Sequence, residues 1–526
     1  MPLNVLESSG TFLVPVMELS LDGFSAGIRV LRSVLRNIFC LLVLAAVSSS
    51  AAFAAGRRLS DNQFLIASDL HFNPMADASL VKDLAAAEPE QWETILMRSK
   101  STAFSQYGQD TNWWLLKSSL DAMRATLPHP AFILVTGDLL AHHFPQTFRT
   151  AMPGSEGGAY RSFVLKTVQF LAIQLRRRFP DAGIFLTPGN NDENCGNYSI
   201  RAGGLFLHDT ADVVRSLAKE DGGLTRSWQQ FGSYDVPNPA LKGVRIISVN
   251  TVFFSEMYHA AKFDAGCAAV ASGGPPDLFA WLQARLAQAQ QAHEKVWLIF
   301  HIPPGMDGYS TIQQFRSLQK TQRGESAASL CASSLVPMWM PKWTAQFDDL
   351  LEKYHSTVIA SFAGHTHNDD FRVINASGSG PAFVLISPAI SPIYNENPAF
   401  RVVTFNRAGA ITDTSVYFLT NLVYASATTP GEWKREYRFS EQWKLAAVNT
   451  KSLSTLYQRI QSSDSDRAEW LKLYNVSSSA AYLAPGTTPG LYCAIEALEP
   501  ESYQSCYCSR VAGTSSSASS GGTAGK

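Results

Sequence analysis

Short apolar segments recur along this 526-residue chain, and most of them are followed at once by a cluster of polar residues. The apolar segments cover residues 64–68, 132–136, 184–187, 244–249, 296–300 and 357–363. Segments of this length and composition are typical of buried strands. Between them, apolar residues recur every three or four positions, as in helices, at 111–125, 161–179 and 276–295. The alternation predicts an α/β fold: a layered sandwich in which central β-sheets are flanked by helices.

Five of the predicted strands end in residues that can bind metal ions. The clusters are Asp69-Leu70-His71, Gly137-Asp138, Gly189 to Asp192, His301 and Gly364 to His367. In layered α/β folds, ligands gather at the carboxyl ends of strands. Two divalent ions ~3.5 to 4 Å apart need several oxygen and nitrogen donors, with at least one donor shared between them. The clusters therefore predict a two-metal site at these strand ends.

Taken in order, the motifs D-x-H, GD, GN-x-[DE], H and GH-x-H resemble those of the calcineurin-like metallophosphoesterase family over residues 64–405. The resemblance implies a metallophosphoesterase sandwich whose paired ions activate a water to attack phosphorus. It also implies the division of the ligands: Asp69, His71 and His367 for one ion, Asn190, His301 and His365 for the other, and Asp138 as the bridge. Such ligands suit Zn²⁺, Mn²⁺ or Fe, and an oxidising compartment favours Zn²⁺.

Three further segments are similar to acid sphingomyelinase-like phosphodiesterases. They are GDLLAHH at 137–143, IISVNTVFF at 246–254 and SPAISPIYNENPAFRV at 387–402. The similarity implies a phosphodiesterase or phosphomonoesterase that acts on a phosphate ester, either a small molecule or a lipid head group. It also marks His142 as the candidate acid that protonates the leaving group, because an imidazole near two cations can transfer protons near neutral pH.

Asn191 departs from the family pattern, since most members have a histidine at this position. An amide can donate a hydrogen bond to the substrate but cannot deliver a proton. The GNND form is similar to that of endopolyphosphatases, whose phosphoanhydride substrates have good leaving groups, so phosphoanhydride hydrolysis is an alternative function. A non-catalytic metal-binding or ligand-binding protein on the same fold is the alternative from another class.

The N-terminus has the pattern of a signal peptide over residues 1–54. Three arginines precede the apolar run at 38–47, and small residues follow it up to Ala55. The run is shorter than the ~20 residues that a membrane span requires, so cleavage is predicted and a stable transmembrane anchor is not. Export to a secreted or periplasmic compartment follows. The 43 basic and 44 acidic residues balance, which gives no general attraction to nucleic acid.

The six cysteines that remain after cleavage predict disulfides in an oxidising compartment. They are Cys195, Cys267, Cys331, Cys493, Cys506 and Cys508. Sequence alone does not fix their connectivity, and buried free thiols are the alternative. Cys195 follows the Asn190 loop, and our hypothesis pairs it with Cys267. Cys493 is expected to pair with Cys506 or Cys508.

Composition divides the mature chain into three parts. Residues 55–425 form the predicted catalytic domain. Residues 426–510 are rich in Trp and Tyr and favour helices, which predicts a C-terminal helical subdomain that contains cysteines. Residues 511–526 form a low-complexity segment of mainly Ser, Gly and Ala, which is typical of a disordered tail.

Overall fold

The structure is a computed structural model that describes residues 62–155, 157–220, 223–260, 276–374, 382–480 and 488–519. The predicted signal peptide and Cys267 lie outside the described residues. Residues 59–526 form one compact unit. No helix among the described residues is both long and apolar enough to cross a membrane.

The strands of the described residues form two six-stranded sheets. Their bounds are β1 Gln63–Ala67, β2 Phe132–Val135, β3 Gly183–Leu186, β4 Tyr234–Pro237, β5 Val244–Val249, β6 Lys295–Phe300, β7 Val358–Ala363, β8 Asp370–Ile374, β9 Ala382–Ile386, β10 Ala399–Phe405, β11 Ile411–Leu419 and β12 Trp433–Arg438. The first sheet has the order β12-β11-β10-β1-β2-β3 and the second β4-β5-β6-β7-β9-β8. All six predicted strands are confirmed, and they form the parallel part of each sheet, β1-β2-β3 in the first and β5-β6-β7 in the second.

Aromatic side chains fill the space where the two sheets pack face to face. Phe64 on β1 has its ring centroid 5.3 Å from that of Trp297 on β6 and 5.5 Å from that of Phe362 on β7. All three side chains are fully buried. Each aromatic ring removes a large apolar area from water, so this layer contributes strongly to the docking of one sheet on the other. The predicted α/β sandwich is therefore confirmed.

Helices surround the sheets on their outer faces and at their ends. Their bounds are Val81–Ala86, Trp92–Leu96, Trp113–Thr126, Phe144–Ala151, Gly158–Arg178, Leu205–Ala218, Gly223–Phe231, Glu256–Ala260, Pro276–Gln291, Gly308–Thr321, Ala327–Ala332, Pro341–Lys353, Phe439–Trp443, Thr450–Ser462, Asp464–Tyr474, Thr488–Cys493 and Pro500–Ser519. The three helices predicted from periodicity are present within a few residues of their expected bounds. The longest buries one apolar face that includes Phe163, Phe170 and Leu171.

The division into domains stays a prediction, and the segment predicted as helical from residue 426 contains a strand before its helices. Trp433–Arg438 is a strand, β12, which pairs antiparallel with β11 at the edge of the first sheet. Its Lys, Arg and Glu residues favour helices in isolation, but an edge strand tolerates charged side chains that point to solvent. Helices do follow from Phe439. The C-terminal segment is thus continuous with the catalytic sheet.

The last helix, Pro500–Ser519, extends into the tail that was predicted from residue 511, and residues 520–526 lie outside the described residues. Serine and alanine are tolerated inside helices, and no proline interrupts this stretch. Two disulfides fix the C-terminal helices: Cys493 bonds to Cys506, one of its two expected partners, and Cys508 bonds to Cys331. Cys195 is disulfide-bonded. Its predicted partner Cys267 lies outside the described residues, so that pairing stays a prediction.

Candidate metal centre

The predicted ligands lie at the carboxyl ends of strands from both sheets. Asp69 and His71 follow β1, Asp138 follows β2 and Asn190 follows β3, so the first sheet presents four of them. His301 follows β6, and His365 and His367 follow β7, so the second sheet presents three. Since these strand ends face each other across the sandwich, all seven side chains converge on one region.

Glycines next to the ligands allow the loops to approach each other. A Cβ atom at Gly137 would lie 2.8 Å from the backbone nitrogen of Gly189, and one at Gly189 would collide with the carboxylate of Asp138. A Cβ atom at Gly364 would collide with Ser68 Oγ. Gly137 also has φ +91°, a conformation that glycine adopts without strain. These three glycines are required by the geometry of the centre.

Five of the seven ligand positions have a left-handed backbone. They are Asp69, His71, Asp138, His365 and His367, with φ between 39° and 75°. Non-glycine residues adopt this conformation at a cost, and such residues cluster at functional sites. The conformation turns each side chain inward immediately after its strand, so the surrounding fold holds the ligands in place.

Three side chains form the first donor cluster. His71 Nε2 and His367 Nε2 are 3.1 Å apart. Asp69 Oδ1 lies 3.8 Å from His71 Nε2 and 3.5 Å from His367 Nε2. Asp69 Oδ1 is fully buried and has no hydrogen-bond partner among the described residues. Around one ion with bonds of about 2.0 to 2.2 Å, neighbouring donors are roughly 3 to 3.5 Å apart. The cluster therefore has the dimensions of a coordination shell.

The second cluster contains the other three predicted terminal ligands. His301 Nε2 lies 2.9 Å from Asn190 Oδ1 and 3.3 Å from His365 Nδ1. Asp138 Oδ2 lies between the two clusters, 3.4 Å from His71 Nε2 and 3.3 Å from His301 Nε2. One carboxylate oxygen is thus within coordination reach of both clusters, as a bridging ligand must be.

Hydrogen bonds to the backbone orient two of the imidazoles. His71 Nδ1 donates to the carbonyl of Leu140 at 3.0 Å, and His301 Nδ1 donates to that of Thr136 at 2.7 Å. A proton held at Nδ1 leaves Nε2 free to bind a metal ion. Similarly, Asn190 Nδ2 donates to Asn197 Oδ1 at 2.7 Å, which turns Oδ1 of Asn190 toward His301.

Burial and neighbouring charges set the protonation of the centre. Burial, together with the nearby His142, lowers the pKa of His71 to about 4. Burial and the adjacent His301 lower the pKa of His365 to about 3. Burial disfavours the charged form of His301 as well, but the negative charge of Asp138 outweighs it and raises that pKa to about 9. His71 and His365 are therefore neutral near pH 7, which is the form that binds metal ions.

Asn191 contacts the carboxylate of Asp138, the predicted bridging ligand. Its backbone nitrogen donates to Asp138 Oδ1 at 2.8 Å, and its Nδ2 donates to Asp138 Oδ2 at 2.9 Å. Asp192 is fully buried and accepts backbone hydrogen bonds from Leu139 and Gly189, which ties the two loops together. In this structure Asn191 positions Asp138, a role that its place in the motif did not suggest.

His142 lies beside the first cluster. Its ring stacks on that of His71, with 4.1 Å between centroids, and its Nδ1 lies 2.9 Å from Asp110 Oδ1. Asp110 Oδ2 also accepts the backbone N–H of His142. Sequence reasoning missed Asp110, because an Asp just before a predicted helix is typical of a helix start. Only the fold places it next to His142.

A cavity of about 210 Å³ opens beside the second cluster, and His365 and Thr366 form one wall of it. Tyr474, Leu491 and Ala494 of the C-terminal segment form another wall. The segment approaches closely, since a Cβ atom at Gly308 would collide with the carbonyl of Gly490. The disulfide of Cys493 with Cys506 holds the helix that bears this wall.

Comparisons with known proteins agree with the resemblance that the motifs indicate. A family model described as the acid sphingomyelin phosphodiesterase C-terminal region matches residues 373–512. The acid sphingomyelinase-like phosphodiesterase 3b of Homo sapiens is 24% identical over 462 residues, which cover 86% of this chain and 91% of that protein. The sphingomyelinase phosphodiesterase D of Dictyostelium discoideum is 26% identical over 89% of this chain and 98% of its own length.

Among solved structures, a dimetal phosphatase from Danio rerio matches 68% of this chain and 95% of its own, with 11% identity and a TM-score of 0.37. The predicted resemblance to acid sphingomyelinase-like phosphodiesterases is confirmed by the two sequence relatives and by the family model. It extends over the predicted catalytic region and the C-terminal segment.

Proposed function

We propose that this chain is an exported, metal-dependent phosphodiesterase, similar to the acid sphingomyelinase-like phosphodiesterases. Two divalent ions, of which Zn²⁺ suits an oxidising compartment best, would be held by the seven ligands predicted from the sequence. The position of Asp138 Oδ2 between two donor clusters is the observation that carries this proposal. In two-metal sites of this kind, one carboxylate is shared between the two metal ions.

The donors fit such a pair of ions. Asp69 Oδ1 is buried without a hydrogen-bond partner among the described residues, and a cation would offset its desolvation. His71 Nε2 and His367 Nε2 are 3.1 Å apart, which is close enough for both to bind one ion. When bound, two divalent ions polarise the phosphoryl oxygens and lower the pKa of a water molecule. Asn191 holds Asp138 in position by donating from Nδ2 to Oδ2. The backbone carbonyls of Leu140 and Thr136 accept from Nδ1 of His71 and His301, which keeps both imidazoles in the tautomer that can bind a metal ion.

The leaving group also needs a proton. The hydrogen bonds of His142 support this residue as the proton donor. Asp110 accepts the Nδ1 proton, so a proton on Nε2 is the one that can be transferred. Nε2 lies 3.4 Å from Tyr394 Oη, at the entrance to the cavity. Expulsion of an alkoxide requires such an acid, whereas expulsion of phosphate from an anhydride does not. The His142–Asp110 pair therefore favours ester hydrolysis over the endopolyphosphatase alternative.

Export is supported by the two disulfides in the described residues, since such bonds persist in oxidising compartments. The predicted signal peptide agrees with them. A secreted, periplasmic or other exported location is proposed on these grounds.

The test is hydrolysis of a substrate panel by the pure protein after loading with Zn²⁺ or Mn²⁺. The panel contains sphingomyelin, nucleotides, polyphosphate, and simple nitrophenyl phosphodiesters and monoesters, with metal content measured on the same sample. We expect turnover of at least one ester class and two ions per chain. A protein that binds two ions and hydrolyses none of the panel would instead be the non-catalytic binding protein.

A further inference from the structure

We infer that two buried hydroxyl groups, those of Ser68 and Thr136, occupy one carboxylate oxygen of Asp69 and thereby leave the other oxygen as the ligand of the first ion. This inference rests on the proposed function, because it concerns the ion that the first donor cluster would hold. Ser68 and Thr136, called the hydroxyl pair below, are positioning residues in this role. They act on the ion through Asp69 and set how tightly the first cluster binds it.

The two carboxylate oxygens of Asp69 have different surroundings. Oδ2 accepts hydrogen bonds from Ser68 Oγ and from the backbone N–H of His365, the latter at 3.1 Å. Oδ1 has no hydrogen-bond partner among the described residues, and it lies within 4 Å of Nε2 of both His71 and His367. Each carboxylate oxygen has two lone pairs, and two donors occupy those of Oδ2. Asp69 is therefore arranged to bind an ion through Oδ1 alone.

Thr136 determines where Ser68 directs its proton. Thr136 Oγ1 donates to Ser68 Oγ at 2.7 Å, and Ser68 Oγ in turn donates to Asp69 Oδ2. A serine hydroxyl has one proton, so an oxygen that accepts from Thr136 keeps that proton for Asp69. All three side chains are buried, with 0% of their surface exposed. Hydrogen bonds that are shielded from solvent in this way hold a carboxylate in one orientation.

The packing around the hydroxyl pair leaves it no space to rearrange. A Cβ atom at Gly364 would collide with Ser68 Oγ, and it would lie 3.1 Å from Thr136 Oγ1. The backbone of Ser68 is held as well, because its carbonyl accepts from the N–H of Ile390 at 3.0 Å. Removal of either hydroxyl should therefore leave the backbone in place and change the side-chain contacts of Asp69.

Thr136 also contacts the second cluster, but only through its backbone. Its carbonyl accepts from Nδ1 of His301 at 2.7 Å, and this hydrogen bond does not depend on the threonine side chain. A change of the side chain should therefore weaken the first ion and spare the second. The two contacts of this one residue separate the effect on the hydroxyl pair from a general disturbance of the metal centre.

The experiment measures the affinity of each ion separately. Zn²⁺ is titrated into the metal-free protein against a chelator that buffers the free ion, and elemental analysis counts the bound ions. Ser68→Ala should weaken one of the two ions by about 10- to 100-fold, which is typical when a residue that supports a metal ligand is removed. Thr136→Val keeps the shape of threonine and loses the hydroxyl, so it should weaken the same ion by about threefold or more. Thr136→Ser keeps the hydroxyl and should bind both ions as the wild type does.

A second background identifies the ion that is weakened. In His71→Ala the first cluster is incomplete, so the ion that remains belongs to the second cluster, and adding Ser68→Ala should not change its affinity. Ser119→Ala is the matched control in the wild-type background. Ser119 is fully buried and donates to the carbonyl of Leu115 within the helix Trp113–Thr126, so this variant should leave both affinities unchanged.

Three results would overturn the inference. They are unchanged affinities in Ser68→Ala and Thr136→Val, equal weakening of both ions in Ser68→Ala, and binding by Thr136→Ser as weak as that by Thr136→Val. The assay also distinguishes this inference from the proposed function, because it reads affinity and not turnover. A wild-type protein that binds no ion would refute the metal centre itself. Two ions bound equally tightly by the wild type and every variant of the hydroxyl pair would refute only the role of that pair.

Discussion

His142 is the residue whose replacement tests the proposed proton transfer most directly. Its ring stacks on His71, its Nδ1 is fixed by Asp110, and its Nε2 is directed toward Tyr394. Burial acts to lower the pKa of His142, but the hydrogen bond and the charge of Asp110 outweigh it and raise that pKa above its usual value. The imidazolium is therefore available as an acid near neutral pH.

His142→Ala should slow the hydrolysis of esters with poor alkoxide leaving groups by about 10² to 10⁴. That factor corresponds to about 2.7 to 5.5 kcal/mol of transition-state stabilisation. The 4-nitrophenolate group leaves without needing a proton, so the turnover of 4-nitrophenyl esters should change by no more than about threefold. Asp110→Asn removes the charge that favours the imidazolium. Since the acid must be protonated, the high-pH limb of kcat should move to lower pH in that variant.

The assay is a plot of log kcat against the pKa of the leaving group, for a series of aryl and alkyl esters. The slope should become steeper in His142→Ala. His143→Asn is the control, because His143 is the exposed neighbour of His142 and has a left-handed backbone that asparagine accepts. Metal content is measured for every variant. An equal loss for all leaving groups at full metal content would mean that His142 binds phosphate or supports the structure and is not the acid.

Three further predictions concern the bridge, a buried acid and a disulfide. Asp138→Asn should abolish activity and leave fewer than two ions per chain by elemental analysis, because a neutral amide cannot offset two cations; two retained ions with normal turnover would contradict the bridging role. Burial raises the pKa of Glu436 to about 8, so the native state holds a proton that the unfolded chain releases above the ordinary glutamate pKa of 4.5. The free energy of unfolding should therefore fall as pH rises from 4.5 to about 8. Glu436→Gln should raise the melting temperature at pH 8 but not at pH 4.5. An effect of the substitution that does not depend on pH would exclude a contribution of Glu436 protonation to stability. Peptide mapping of the oxidised protein should recover Cys195 joined to Cys267, and recovery of Cys195 with any other cysteine would refute that pairing.

The convergence of the seven predicted ligand residues was predictable because each follows a strand that the local sequence indicates. Asp69, Asp138 and His301 come after runs of buried apolar residues, and a strand end fixes where the next side chains lie. The strand β12 was not predictable in this way. It lies at the edge of a sheet, where exposed charged residues are tolerated, so its composition resembles that of a surface helix.

The residues that hydrogen-bond to the site residues could not be predicted from the sequence either. Asp110 reaches His142, and Asn197 reaches Asn190, through hydrogen bonds that depend on how loops pack after folding. Neither residue stands out from an ordinary turn residue in the chain. Such contacts depend on the three-dimensional arrangement, because local propensity does not encode them.

The division of the ligands between the two sheets has a consequence for how the protein matures. Asp69 comes from the first sheet and His367 from the second, and the chain between them contains strands β2 to β7. A nascent chain has no competent site until the sheets dock, so ion uptake must be a late event in assembly. A chain translocated unfolded would acquire its ions at its destination. The supply of metal there, more than the intrinsic preference of the ligands, would then decide which ion the mature protein carries, and bound ions would in turn stabilise it against unfolding.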